Sequence, residues 1–189
     1  MTRLPAGAEI VVGVGECRIA EFGKASPALC LSTYALGSCI AVVAYDWKAR
    51  LGGLLHVMLP DSSLDKFRAD SHPYVYVDTG VPELFRRLQQ SGSSKFGIRC
   101  CVAGGASMMA DSSYFEIGKR NYLALKKSFW KLGIFIDKED VGGSESRSVR
   151  LDLATGRVDL RKGCGEEKIL APAGINLIAR SASDASAGR

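Results

Sequence analysis

The sequence predicts an α/β fold: a single domain built as a layered sandwich of mixed β-sheet flanked by helices. Three observations lead there. Two stretches carry apolar residues at helical spacing, seven or more others read as short strands, and nothing between them resembles a linker or an internal repeat. A chain of 189 residues, 47% apolar and 24% charged, is long enough to bury one substantial core and short for two.

Residues 8–20 open the fold as a strand pair, or a strand and turn, around Ile10-Val11-Val12. The Gly13-Val14-Gly15 that follows is a weak nucleotide-loop pattern, because Arg18 stands where a third glycine would be; a tight turn accounts for both glycines. Ser38–Tyr45 and Leu51–Pro60 are two apolar arms around a polar turn, Asp46–Arg50, the pattern of a buried hairpin. Residues 61–73 are polar and mixed, a surface loop that could frame a pocket, with His72 exposed in it.

Val81, Leu84, Phe85 and Leu88 follow i, i+3, i+4, i+7 spacing, with Pro82 near the start and Gly92 past the end, which predicts a core-facing helix. Phe96–Val102 then reads as a buried strand whose adjacent Cys100 and Cys101 point to opposite faces, ending in a turn at Ala103-Gly104-Gly105-Ala106. Met108 and Met109 suit core filling. A second helix spans 118–132, with Tyr122, Leu125, Phe129 and Leu132 on one stripe, lysines on the others and Gly133 as its stop. Ile134-Phe135-Ile136 is a further strand, and Val149–Leu153 with Arg157–Arg161 alternate around Ala154-Thr155-Gly156 as a hairpin with one wet face. The core covers about 8–163, and the small polar residues 181–189 form a disordered tail.

The formal net charge of +5 is mild and spread along the chain, so it favours an acidic partner without marking a nucleic-acid binder; no zinc-finger, RRM or helix-turn-helix pattern is present. Cys17, Cys30, Cys39, Cys100, Cys101 and Cys164 contain no C-x-x-C pair, and two histidines are few for a mixed zinc site, so no metal or other cofactor is expected. Residues 25–45 carry no charge, but Ser26, Pro27, Ser32, Thr33, Gly37 and Ser38 break them into loop and strand, and no membrane insertion is expected. Met1-Thr2-Arg3-Leu4-Pro5, with Glu9 and Glu16 in the apolar stretch after it, does not fit a secretory signal; the expectation is free thiols in a reducing cytoplasm.

Cys39 and His56 are the candidate chemical pair. Pairing them directly across the hairpin centres the turn between Trp47 and Lys48 and brings their Cβ atoms to roughly 4.5–5.5 Å. Gly52-Gly53 is a candidate bulge that would alter this register. An imidazole beside a thiol can take its proton, and an imidazolium lowers the thiol pKa from about 8.5 toward neutrality. Spacing alone leaves the alternative of a buried core thiol beside a satisfied core histidine.

The runs Leu31-Ser32-Thr33-Tyr34-Ala35-Leu36-Gly37-Ser38-Cys39 and Gly52-Gly53-Leu54-Leu55-His56-Val57-Met58-Leu59-Pro60 resemble the signature of the CheD family of chemoreceptor glutamine deamidases. Further matches follow in order at Tyr76–Thr79, Gly104–Ala106, Ile117–Asn121, Leu132–Ile134, Asp140–Gly143 and Thr155–Val158. The resemblance implies a fold like that of other cysteine hydrolases, with Cys39 as nucleophile, His56 as base and Thr33 completing the triad through its hydroxyl or its carbonyl. It implies a protein-glutamine glutaminase that deamidates glutamines on the cytoplasmic helices of methyl-accepting chemotaxis receptors through a cysteine thioester. It also implies a CheC-type phosphatase as partner. Other cysteine hydrolases, and a non-catalytic binding module, are the competing expectations.

Overall fold

The structure is a computed structural model that describes residues 9–23, 30–107, 116–163 and 165–173. Two five-stranded mixed sheets dominate it. The first is ordered β1 (Glu9–Val11), β3 (Cys30–Leu36), β8 (Arg147–Asp152), β9 (Val158–Lys162), β10 (Glu166–Ala171). The second is ordered β2 (Glu16–Glu21), β5 (Leu51–Val57), β4 (Ile40–Asp46), β6 (Ile98–Gly104), β7 (Lys138–Val141). Three α-helices, α1 (Lys66–Ser71), α2 (Val77–Gln90) and α3 (Ile117–Leu132), accompany the sheets.

Burial explains the layering. Leu31, Leu36, Val149, Leu151, Val158 and Leu160 of the first sheet meet Ala41, Val43, Tyr45, Leu54 and Cys101 of the second in one apolar layer. The alternate residues of the second sheet, including Ile40, Val42, Leu55, Val57 and Cys100, pack beneath Val77, Val81, Leu84, Phe85 and Leu88 of α2 and Leu125 and Phe129 of α3. The second sheet is therefore the middle layer, and all seven residues of β4 and of β5 are buried. β8, covered on one side, keeps a strict alternation. Cys100 and Cys101 do face opposite layers.

Gly52 and Gly53 are not a bulge. A Cβ on Gly52 would stand 2.4 Å from Leu153 of the first sheet's layer, and one on Gly53 would stand 2.7 Å from Leu84 of α2. The two glycines let both neighbouring layers close onto β5, whose pairing with β4 is regular. That pairing sets Ala41 opposite His56, two residues from the expected register, so the side chains keep their faces while Cys39 lies diagonal to His56.

Other expectations shift as well. β1 and β2 enter different sheets instead of pairing with each other. Residues 61–75 hold α1, capped by Asp65, and two single turns of 3-10 helix, the first capped by Asp61, with His72 exposed after α1. α2 begins at Val77, so Pro82 lies inside it beyond the first turn. Residues 134–136 are not a strand; β7 starts at Lys138, and Phe135 is 86% exposed. The hairpin of β8 and β9 forms, and β10 carries the first sheet beyond residue 163. α3 ends at Gly133 in the left-handed region, with Ile134 N–H returning to Phe129 C=O. Met108, Met109, Cys164 and the tail 181–189 lie outside the described residues.

Candidate active site

Thr33 and His56 meet between the two sheets. Thr33 shares the inward face of β3 with Leu31, and His56 shares the inward face of β5 with Leu54, so their side chains approach across the layer. Thr33 Oγ1 lies 2.8 Å from His56 Nδ1 and 2.7 Å from Val12 C=O. A carbonyl only accepts, so the single hydroxyl proton goes to Val12. The hydroxyl must then accept from Nδ1–H, which leaves the lone pair on Nε2. That atom is buried and has no hydrogen-bond partner among the described residues. It is thus the hydroxyl of Thr33, not its carbonyl, that holds the ring. The histidine itself is 1% exposed.

A bulge ends the strand that carries Thr33. Thr33 pairs with Val149 but Leu36 with Arg147, so β3 has one residue more than β8, and Ala35 takes φ of 55°. The extra residue returns Leu36 to the inner layer and turns the chain into Gly37-Ser38-Cys39. Cys39, half-buried, packs against the same layer on the side of the sheet that carries Ala41 and His56. Diagonal neighbours of this kind lie roughly 7–8 Å apart at their Cα atoms. No hydrogen bond joins the thiol to Nε2 in this conformation.

The loop before the nucleophile candidate is held from outside. Gly105 N–H donates to Cys39 C=O and Ala106 N–H to Gly37 C=O, each at 2.8 Å. Gly104, at φ 115°, is required there: a Cβ would stand 2.2 Å from Cys39 O. Gly118 likewise lets the start of α3 reach Gly105. Asn121 of α3, wholly buried, donates from Nδ2 to Ser38 C=O and to Met58 C=O, both at 2.9 Å. No role was expected for Asn121. Its signal in the sequence is a polar residue on the same helical stripe as Leu125 and Phe129.

Electrostatics departs from the expected ion pair. Burial pushes His56 down to about 4 against a weaker opposing pull from Val12 C=O, and burial pushes the Cys39 thiol up against the pull of its own backbone N–H. Both groups rest neutral at pH 7, which suits an imidazole acting as general base during attack better than a standing thiolate. Cys17, Cys30, Cys100 and Cys101 are buried, so Cys39 is the most accessible thiol among the described residues. Among those residues no group of three His, Cys, Asp or Glu side chains is arranged to hold a metal.

Comparison with known proteins follows the same line. The family profile described as CheD chemotactic sensory transduction matches residues 58–162. A probable chemoreceptor glutamine deamidase CheD of Solibacter usitatus is 47% identical over 164 residues, covering 87% of this chain and 94% of the relative. A second, from Syntrophus aciditrophicus, is 42% identical over 83% of this chain and 96% of its own length. A third, from Pyrococcus abyssi, is 39% identical over 85% and 96%.

Proposed function

The chain belongs to the CheD family, and from that premise we propose that it hydrolyses the side-chain amide of glutamines in chemoreceptors, releasing ammonia and leaving glutamate. The observation that carries the reading is the fixed tautomer of His56: Thr33 and Val12 occupy the Nδ1 side, so the basic lone pair sits on Nε2 on the face shared with Cys39.

In this mechanism Nε2 takes the thiol proton as Cys39 Sγ attacks the amide carbonyl carbon, and a tetrahedral oxyanion forms. Backbone N–H groups at Ser38 and Cys39 are the donors to it. His56 returns the proton to the departing nitrogen, which leaves as ammonia, and a thioester remains. Nε2 then takes a proton from water as it attacks the thioester; the carbon–sulfur bond breaks and the proton passes back to Cys39. Throughout, Nδ1–H stays on Thr33 Oγ1. Thr33 is neutral, so it orients the ring without stabilising an imidazolium at rest, in keeping with the low value at His56.

The same reading carries work in the cytoplasm, on receptor helices, with a CheC-type phosphatase as partner and no metal or cofactor. Cys17, Cys39, Cys100 and Cys101 are free thiols, which suits a reducing compartment, and no helix of the described residues is long and apolar enough to cross a membrane. The test is mass spectrometry of a receptor cytoplasmic fragment after incubation with the protein. Conversion of specific glutamines to glutamates is expected; cleavage of the backbone, or no change, overturns the reading.

A further inference from the structure

Asn121 makes two hydrogen bonds that join the residue before Cys39 to the strand end beyond His56. Both acceptors are backbone carbonyls, so the NH2 group must face them, and the amide spends both protons there. The amide oxygen has no partner among the described residues. A core position that only needed filling would be served by an apolar side chain without this desolvated oxygen.

The consequence lies in the next peptide. No cis peptide bond occurs among the described residues, so the Ser38–Cys39 unit is planar and trans, with its C=O and N–H pointing in opposite directions. Asn121 fixes the Ser38 oxygen on the α3 side. The Cys39 N–H is thereby directed away from α3, and no carbonyl among the described residues accepts it. Gly105 N–H holds the following carbonyl, that of Cys39, so the peptide is fixed at both ends.

We propose that Asn121 is the positioning residue of the oxyanion site: by holding Ser38 C=O it aims the Cys39 N–H at the oxygen of the tetrahedral adduct formed on Cys39. An N–H adjoining the attacking sulfur lies within reach of that oxygen, and its orientation costs nothing at the moment of reaction because it is fixed beforehand. The tie to Met58 C=O keeps this peptide in register with the strand that carries His56. The role rests on the deamidase reading for its chemistry, but the peptide orientation can be tested without it.

The experiment uses the full chain, labelled with 15N-cysteine, as wild type, Asn121→Asp and Asn121→Ala. Asp is nearly isosteric and sets a carboxylate against two carbonyls; Ala removes the donors. Three readouts are taken: the Cys39 amide resonance, deamidation kinetics on a receptor cytoplasmic fragment, and the rate of Cys39 alkylation by iodoacetamide. The Cys39 amide should shift or broaden in both variants while that of Cys101 stays in place. The value of kcat should fall roughly 10–100-fold, less than the 10²–10³ lost when an oxyanion donor is deleted outright. KM and the alkylation rate, which need no oxyanion donor, should stay within about threefold. An unmoved Cys39 amide overturns the proposal, as does an unchanged kcat, or an alkylation rate that falls in parallel with kcat. Variants that do not fold by circular dichroism also overturn it, because Asn121 would then be a residue of the fold. A wild type that deamidates nothing while its Cys39 amide responds as expected sinks the deamidase reading and leaves the peptide orientation standing.

Discussion

Two buried polar clusters bridge the same pair of sheets, and they differ in how fully they are satisfied. At one, Asp140 of β7 receives Arg147 of β8, Lys162 of β9 and Lys168 of β10. Arg147 is 4% exposed and its Nη1 also donates to Glu145 C=O, so the charges on both sides have partners. Burial opposes ionisation of Asp140, but the hydrogen bonds from Lys168, Arg147 and Lys162 outweigh it and hold its carboxyl below the ordinary range. At the other cluster, Thr33, Val12 and His56 satisfy one side of an imidazole and leave its Nε2 open, beside the half-buried Cys39. A saturated buried cluster is a clamp between sheets. A cluster with one basic atom unpaired bears a desolvation cost that a donor such as the Cys39 thiol can relieve.

That contrast can be broken at either cluster. The largest effect belongs to Cys39→Ala, which should abolish turnover and leave the melting temperature nearly unchanged, since the bond-forming atom is lost and little packing with it. His56→Ala should lose roughly 10²–10⁴ in kcat/KM, the usual share of a general acid–base group. Near-normal rates for either variant, measured on a receptor fragment, would make the open cluster an ordinary piece of core.

Asp140→Ala is the opposite experiment. It leaves Arg147 buried without its carboxylate and should cost about 3–5 kcal/mol of stability. By thermal melting that is a drop in midpoint on the order of 10 °C. The kcat of the folded fraction should stay within about threefold. Loss of activity without loss of stability would erase the distinction between clamp and site.

Titration sharpens it further. His56 has a folded value of about 4 and an unfolded value near 6.5, so between those pH values the unfolded chain binds the extra proton. Stability should therefore fall as pH drops from about 6.5 to about 4, by on the order of 3 kcal/mol from this group. A His56→Gln variant should lose that slope. The acid limb of kcat/KM should likewise lie near 4; a limb at 6.5 would mean the ring is solvated. The smallest effect is expected from Thr33→Val, which keeps the shape and removes the hydroxyl's bonds to Nδ1 and to Val12 C=O. About tenfold in kcat, the equivalent of a single such bond, is the expected loss.

The chain itself announces a good part of this. The unbroken apolar runs of β4 and β5, the stripes of α2 and α3 and the alternation of β8 and β9 are local patterns, set by which faces of each element must leave water. Thr33, Cys39 and His56 stand in short motifs that are legible without coordinates. Partnership across distance is not legible in that way. Residues 134–136 are apolar enough for a strand, yet β7 forms at Lys138 because that is where β6 offers a parallel edge. Gly52 and Gly53 read locally as a bulge and act instead as flat ground for leucines from two other layers. Asn121 lies 65 residues from His56 and 82 from Cys39 along the chain, and nothing near it in sequence names Ser38 or Met58 as its acceptors.

By itself, then, the sequence determined most of the elements, their buried faces and the residue types proposed for the chemistry, because periodicity and side-chain reactivity are properties of short segments. Only the tertiary structure decided that the hydroxyl of Thr33 meets Nδ1, that Nε2 is the free nitrogen, and that thiol and imidazole rest uncharged. Those outcomes depend on how two sheets and a helix exclude water from a few atoms, and water exclusion is a property of the packed whole.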